Sequence, residues 1–158
     1  MIYVGIDPGL RSGAVGAIDH NGRYIGCFDI PSDEKRINVC ALSNMLSNLL
    51  DGDDAIFCVE LVNPMPNQGS VSTGGFMRAA GAIEAVVQLR AQPVFFVPPR
   101  VWKRAMKLTA EKADSLTMAR LLFADPLAQS SLKRKKDNNR AEALLLAYYQ
   151  RELEYGEL

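Results

Sequence analysis

The chain has 158 residues, of which 48% are hydrophobic and 23% charged. This balance excludes a disordered or low-complexity chain and predicts a single domain over residues 1–158. Eighteen basic side chains offset eighteen acidic ones, so only a local patch could attract a polyanion. No apolar run approaches the ~20 residues of a membrane span.

The cysteines and the single histidine exclude several kinds of active site. Cys27, Cys40 and Cys58 are scattered and form no Cys-x-x-Cys pair, which is typical of reduced thiols and argues against structural zinc. His20 falls in a predicted turn, so a catalytic Ser-His-Asp or Cys-His set is not expected. Residues 1–5 lack the basic start of a signal peptide. We therefore expect a cytoplasmic domain whose chemistry depends on carboxylates.

Short apolar runs between turn residues predict five strands. They are Ile2–Ile6, Gly13–Asp19, Tyr24–Ile30, Ala55–Glu60 and Pro93–Val97. The segment His20–Gly22 between the second and third strands has the composition of a hairpin turn. The first three strands are therefore predicted to pair antiparallel.

Apolar residues at helical spacing predict the helices. They begin near Ile37, Phe76, Val101, Thr109 and finally at Asp137 or Asn138. Residues 61–75 are predicted to form a long loop, and residues 125–129 a turn. Without the short helix at Val101, the order β-β-β-α-β-α-β-α-α predicts an α/β fold, in which a mixed sheet with antiparallel leading strands is flanked by helices.

Acidic residues lie where apolar segments end. Asp7 follows the first strand, Glu60 ends the fourth, and Glu142 interrupts the apolar run 141–146 of the last helix. If the two strands are parallel neighbours, Asp7 and Glu60 emerge at the same sheet edge, where a divalent cation between them would relieve their repulsion. Ligands that are all oxygen suit Mg²⁺ or Mn²⁺. Two such ions ~4 Å apart can activate water and stabilise the leaving oxygen of a phosphodiester.

Each acid also has a purely structural interpretation. Asp7 could cap a turn, Glu60 could pair with an arginine, and Glu142 could bind Arg140 or Arg151. The joint pattern of two acids at strand ends and one late in a helix favours the metal site.

Four segments, in order, resemble RuvC-type Holliday junction resolvases. They are Gly5-Ile6-Asp7-Pro8-Gly9, Val59-Glu60, the stretch Pro98–Lys103 with Ala110–Lys112, and Asp137–Leu144, and the resemblance spans about residues 2–150. The closing segment is most similar to members carried by phages. The opening motif alone also occurs in sugar-kinase-like ATPases and in nucleases that process ribosomal RNA. The resemblance therefore depends on all four segments occurring in this order.

The resemblance implies an RNase H-like fold, a homodimer, and Mg²⁺-dependent cleavage of four-way and related branched DNA junctions, with two ions per site that Mn²⁺ could replace. It implies that Asp7, Glu60 and Glu142 are catalytic metal ligands. The usual fourth position, one helical turn before Glu142, is Asn139 in this sequence, a neutral and weaker ligand. The nearest acid, Asp137, could serve only if it precedes the helix, and we favour it as the fourth catalytic ligand.

Basic residues near these acids predict a DNA-binding surface. The basic run Lys133–Lys136 directly precedes the Asp137–Glu142 segment. Basic side chains that neutralise DNA phosphates release counterions, which favours binding. The structural alternative for this run is a solvated loop. The resemblance implies that Lys103 and Lys112 also contact the junction backbone. Met65, between two prolines, is the candidate to enter the junction. The predicted set is Lys103, Lys112, Lys133, Arg134, Lys135, Lys136 and Met65. Trp102 is interpreted as a packing residue, and the helix from Phe76, with Gly81 allowing close approach, as the dimer contact.

Three functions remain open on the sequence. The first is a junction-resolving endonuclease, acting in a bacterial cytoplasm or, if phage-encoded, in that of the host. The second is an RNase H-like nuclease that processes RNA, which residues 98–112 and the basic run disfavour. The third is a branched-DNA-binding module that lost catalysis through Asn139. No small-molecule cofactor and no membrane partner are expected.

Overall fold

The computed structural model describes residues 1–33, 35–61, 69–109 and 111–157, and for residues 70–72 and 112 the backbone only. A five-stranded sheet lies at its centre in the order β3-β2-β1-β4-β5. Its strands are β1 (Ile2–Asp7), β2 (Ala14–Asp19), β3 (Tyr24–Asp29), β4 (Ala55–Glu60) and β5 (Val94–Val97). β1, β2 and β3 pair antiparallel, whereas β4 is parallel to both β1 and β5. The predicted mixed sheet with antiparallel leading strands is confirmed.

Six α-helices are described around the sheet. They are α1 (Val39–Leu50), α2 (Ser70–Gln88), α3 (Pro99–Ala105), α4 (Lys112–Leu122), α5 (Pro126–Ser131) and α6 (Asn138–Tyr155), and a 3-10 turn (Lys135–Asp137) leads into α6. The predicted start of the last helix is confirmed. Within the described ranges, no helix has the length and apolar character needed to span a bilayer.

Two details of the helix prediction are wrong. The helix α2 begins at Ser70 and not at Phe76, because serine, threonine and glycine lower helix propensity without forbidding a helix. Residues 126–131 form α5 where a turn was predicted, since the Asp125 side chain accepts hydrogen bonds from the backbone N–H groups of Leu127 and Ala128 at 2.8 and 3.3 Å. Proline in the first turn of α5 completes this helix start.

The two faces of the sheet are covered by different helices. Alternate residues of β1 and β4, such as Val4 and Phe57, lie in one apolar cluster with residues of α1 and α2. The intervening residues, such as Tyr3 and Cys58, lie in a second cluster with residues of α3, α4 and α6. The period of two along a strand therefore divides the core between the two faces.

The helix α6 lies in direct contact with the strands beneath it. Gly5 and Gly16 are paired across β1 and β2. A β-carbon built on Gly5 would lie 1.9 Å from the carbonyl oxygen of Ala143, and one on Gly16 would lie 2.6 Å from the backbone nitrogen of Leu144. Both positions require glycine because backbone atoms of α6 occupy the space of a side chain.

The direction of α6 brings its first turns to the end of β1. Near its start, Asn139 donates a hydrogen bond to the carbonyl oxygen of Ser12, in the segment that follows β1. Further along, Arg151 donates to the carbonyl oxygen of His20, at the other end of β2, at 3.0 Å. The helix therefore runs antiparallel to β1, with Glu142 towards the carboxyl end of that strand.

We predict that Gly5→Ala lowers the free energy of unfolding by at least about 3 kcal/mol, because neither the strand nor the helix backbone can yield to a methyl group. Gly75→Ala, in α2, is the matched control. A β-carbon at Gly75 meets no described atom within 4 Å, so this change should stabilise by about 0.5–1 kcal/mol through helix propensity. Chemical denaturation of both variants measures the difference, and equal stabilities would contradict the proposed contact.

Candidate metal centre and nucleic-acid interface

Asp7 and Glu60 lie side by side at the carboxyl ends of β1 and β4. The parallel register pairs Ile6 with Val59, so the next pair in this register is Asp7 and Glu60, on strands about 4.8 Å apart. Asp7 lies two residues beyond Gly5 and therefore faces α6. It is 8% exposed. The strand register therefore brings these two acids to the same edge of the sheet, as the sequence predicts.

Glu142 reaches the same end of the sheet from α6. It is 6% exposed and directly precedes Ala143, the residue that lies against Gly5. Its Oε1 accepts a hydrogen bond from the Lys103 ammonium at 2.7 Å and another from the Ser115 hydroxyl at 3.0 Å. The cost of burying this carboxylate is thus met by a salt bridge to α3 and a hydrogen bond to α4.

Trp102 contacts the proposed site, contrary to its interpretation as a packing residue alone. Its indole N–H donates to Oε2 of Glu60 at 2.8 Å, and its ring is fully buried. The ammonium of Lys103 lies 5.3 Å from the centre of that ring, within the range of a cation–π contact. Ser115 was also missed by the sequence prediction. The role of Trp102 could have been inferred from the sequence, because a buried indole N–H needs a hydrogen-bond acceptor.

The donor set fits a hard divalent cation, but the described side chains do not form a closed cluster. The three acids come from β1, β4 and α6 and supply only carboxylate oxygen, the ligand type that Mg²⁺ and Mn²⁺ prefer. In residues 1–33, 35–61, 69–109 and 111–157, no three acidic, histidine or cysteine side chains are close enough together to hold an ion. The ammonium of Lys103 stands where a cation would contact Glu142. Metal binding therefore requires Glu142 to exchange this ammonium for the ion.

Asp137 precedes α6, which is the condition for its predicted role as the fourth metal ligand. Its carboxylate, however, binds Arg134. Its Oδ2 accepts from the Arg134 backbone N–H at 2.7 Å, and its Oδ1 accepts from the guanidinium at 2.9 and 2.7 Å. Burial raises the pKa of Asp137, and the hydrogen bonds from Arg134 outweigh this and hold that pKa below its usual value. Asn139 lies one turn before Glu142 and binds Ser12, in the segment following Asp7. The structure thus brings Asn139 close to β1 and pairs Asp137 with an arginine.

The basic run lies just before α6 and is exposed. In the described part of the chain, no salt bridge involves Lys133, Lys135 or Lys136, whereas Arg134 pairs with Asp137. The run is held by Arg120, which the sequence prediction missed. The Arg120 guanidinium donates to the carbonyl oxygens of residues 132 and 133 at 2.6–2.9 Å. This anchoring gives the lysines a fixed backbone beside the acids.

The other predicted DNA contacts have different positions. Lys103 is half-buried against Glu142 and is not a solvated surface lysine. Lys112 begins α4, and only its backbone is described. Met65 lies outside the described residues. These three remain predictions.

The sheet order and the helices on both faces are those of an RNase H-like fold. The particular fold is similar to that of RuvC. The structure described as T. thermophilus RuvC in complex with Holliday junction substrate has a TM-score of 0.72 and 19% sequence identity, over 99% of this chain and 97% of that chain. A second Thermus thermophilus RuvC structure has a TM-score of 0.68 and 19% identity, over 99% and 98%. No protein-family model and no curated protein matches the sequence.

We predict that Lys103→Met destabilises the protein by about 3 kcal/mol in the absence of divalent metal, because it leaves the buried Glu142 carboxylate without its cation. Saturating Mg²⁺ should raise the melting temperature of this variant more than that of the wild type, since the ion no longer competes with the ammonium. Thermal melting with and without Mg²⁺ measures both effects.

Arg104→Met is the matched control for this experiment, since it removes an exposed charge from the same helix. It should change the free energy of unfolding by less than about 0.5 kcal/mol. A similar response of both variants to Mg²⁺ would show that Lys103 does not stand at the metal site.

We also predict a pH-dependent stability contribution from Asp137. Because its folded pKa lies below the unfolded value of about 3.9, the stabilisation is present above that value and is lost as the pH falls through the folded pKa. Asp137→Asn should therefore be less stable than the wild type at neutral pH, and the difference should shrink as the medium is made acidic. Melting temperatures across this range, with Asp53→Asn on an exposed turn as control, test it. A difference that stays constant would contradict the ion pair.

Proposed function

We propose that the protein is a divalent-metal-dependent endonuclease that cuts four-way and related branched DNA junctions. The observation that carries this proposal is the meeting of Asp7, Glu60 and Glu142 at one end of the sheet, on the fold of a RuvC whose structure was solved with a Holliday junction substrate. These three carboxylates come from three separate elements and supply only oxygen donors, the ligand type that Mg²⁺ and Mn²⁺ prefer.

In this proposal Asp7, Glu60 and Glu142 hold Mg²⁺, with two ions per site and Mn²⁺ as a substitute. When bound, such ions activate a water and stabilise the leaving oxygen of the phosphodiester. The chain's own residues prepare the site. Lys103 neutralises Glu142 in the absence of the ion, and Trp102 and Ser115 hold Glu60 and Glu142 by hydrogen bonds.

Asp137 is kept as the proposed fourth acid, on the condition that Arg134 moves. The Arg134 side chain is half-exposed, so a DNA phosphate can compete with Asp137 for its guanidinium. Asn139, one turn before Glu142, is the competing candidate for this position. The exposed lysines of the basic run would bind the phosphates of the arms.

A homodimer is the proposed assembly, because a symmetric junction must be cut on two strands. Helix α2 supports this part of the proposal. A β-carbon on Gly81 meets no described atom within 4 Å, and Leu89, directly after the helix, is 84% exposed. An open groove between α1 and α2, lined by Val39, Ala82 and Val86 among others, continues the same apolar surface. The closing segment around Glu142 supports the phage-like branch of the family. The free cysteines Cys27, Cys40 and Cys58 support the cytoplasm as the compartment.

The test of function is cleavage of a labelled, immobile four-way junction in Mg²⁺, beside linear duplex DNA. The wild type should make paired, symmetric nicks that leave ends able to be ligated. Glu142→Gln should lower the cleavage rate by at least about 100-fold, because it removes a metal ligand, and should retain junction binding. Glu154→Gln, at the far end of α6, is the matched control and should cut like the wild type.

Three other outcomes would contradict the proposal in different ways. Tight junction binding without cutting by the wild type, in Mg²⁺ or Mn²⁺, would favour a binding module. Preferential cutting of structured RNA would favour an RNA-processing nuclease. Equal cutting by Glu142→Gln would place the active site elsewhere.

A further inference from the structure

Glu60 and Glu142 each receive a hydrogen bond from a buried, uncharged donor on a neighbouring helix. Trp102, on α3, is 0% exposed and donates its indole N–H to Oε2 of Glu60 at 2.8 Å. Ser115, on α4, is 0% exposed and donates its hydroxyl to Oε1 of Glu142 at 3.0 Å. Neither donor has a solvated position to move to, so each bond fixes the rotation of the carboxylate that accepts it.

The chemical nature of these donors separates them from Lys103. An ammonium repels a divalent cation and competes with it for Glu142, whereas an indole N–H and a hydroxyl carry no net charge. A carboxylate can accept a hydrogen bond on one lone pair and bind a metal through another. The two neutral bonds are therefore compatible with a bound ion, and only the salt bridge must be exchanged.

The helices that carry the donors are themselves fixed. Trp102 and Leu116, the residue after Ser115, lie in the same apolar cluster as the buried face of α6. The donors are consequently attached to the core that also positions α6, and not to a separate surface element. Rigid support of this kind is what a metal ligand needs to keep a productive orientation.

We propose that Trp102 and Ser115 are positioning residues, which orient Glu60 and Glu142 for a divalent cation. This inference rests on the metal site of the proposed function and is independent of which nucleic acid is cut. Loss of either donor should weaken metal binding about tenfold and leave the affinity for metal-free junction DNA unchanged.

The chain contains one tryptophan, so its fluorescence reports directly on the Glu60 contact. Titration of the wild type with MgCl₂ should change Trp102 emission saturably, because the ion alters the charge of the carboxylate that the indole contacts. Glu60→Gln should abolish the change. A wild-type emission that does not respond to MgCl₂ would overturn the proposal, whether or not the protein cuts DNA.

Two variants test whether loss of each donor weakens Mg²⁺ binding. Ser115→Ala keeps the fluorophore and should shift the MgCl₂ midpoint about tenfold upward. Trp102→Phe, followed by calorimetric titration with MgCl₂, should bind the ion about tenfold more weakly, and its cutting of junctions should recover at high metal. Unchanged Mg²⁺ affinity in a folded Ser115→Ala variant would overturn the proposal even if Trp102→Phe does not fold.

Tyr3→Phe is the matched control, since it removes a comparable buried donor. The Tyr3 hydroxyl donates to Glu154 at 2.6 Å at the other end of β1, and its loss should leave the Mg²⁺ affinity unchanged. A weakening equal to that of Trp102→Phe would show a general effect of packing and overturn the positioning role. If the wild type binds Mg²⁺ as expected but cuts no junction, the proposed function fails while this inference stands.

Discussion

The close contact of α6 with a glycine pair on β1 and β2 is the constraint on which the site depends. Gly5 and Gly16 are paired across the two strands, and backbone atoms of α6 take the space that their side chains would fill. A larger residue at either position would lift the helix from the sheet. Glu142 would then move away from the ends of β1 and β4, because it directly precedes Ala143, the residue that lies against Gly5.

Two buried acids at this end of the molecule are balanced by the chain's own cations. Glu142 pairs with Lys103 and Asp137 with Arg134, so the charges of these two carboxylates are compensated without an ion. This arrangement has a consequence for metal binding. A metal ion that bound at Glu142 would compete with this ammonium, and its measured affinity would be the difference between the binding of two cations and not the absolute strength of the site.

Much of the fold was predictable because its signals are local. Apolar runs bounded by turn residues predicted the strands, and the positions of Asp7 and Glu60 at strand ends followed from where those runs stop. The start of α2 was misplaced because serine and glycine at residues 70–75 weaken a helix signal that tertiary packing restores. Helix α5 was missed although Asp125 and Pro126 form a recognisable helix start, because the segment is short and has little apolar periodicity.

The contacts within the site were less predictable, since they depend on how separate helices pack. Nothing local in the sequence joins Trp102 to Glu60 or Ser115 to Glu142, because each pair is far apart in sequence and meets only when α3 and α4 fold against the sheet and α6. The pairing of Arg134 with Asp137 is the exception. A side chain three residues after a helix-start residue commonly accepts from that residue's backbone N–H, and this spacing was available in the sequence.

The positions of Asp137 and Asn139 connect the proposed metal site with the basic run. Arg134 belongs to that run and also holds both oxygens of Asp137, so whatever binds its guanidinium also changes the surroundings of that acid. A phosphate is a stronger partner for an exposed guanidinium than water is, and bidentate contact with it is favourable. Binding of a polyanion at the basic run would therefore weaken the hydrogen bonds from Arg134 to Asp137, at the start of the helix that carries Glu142. In this way the surface that would bind nucleic acid and the acids that would bind metal are parts of one electrostatic system.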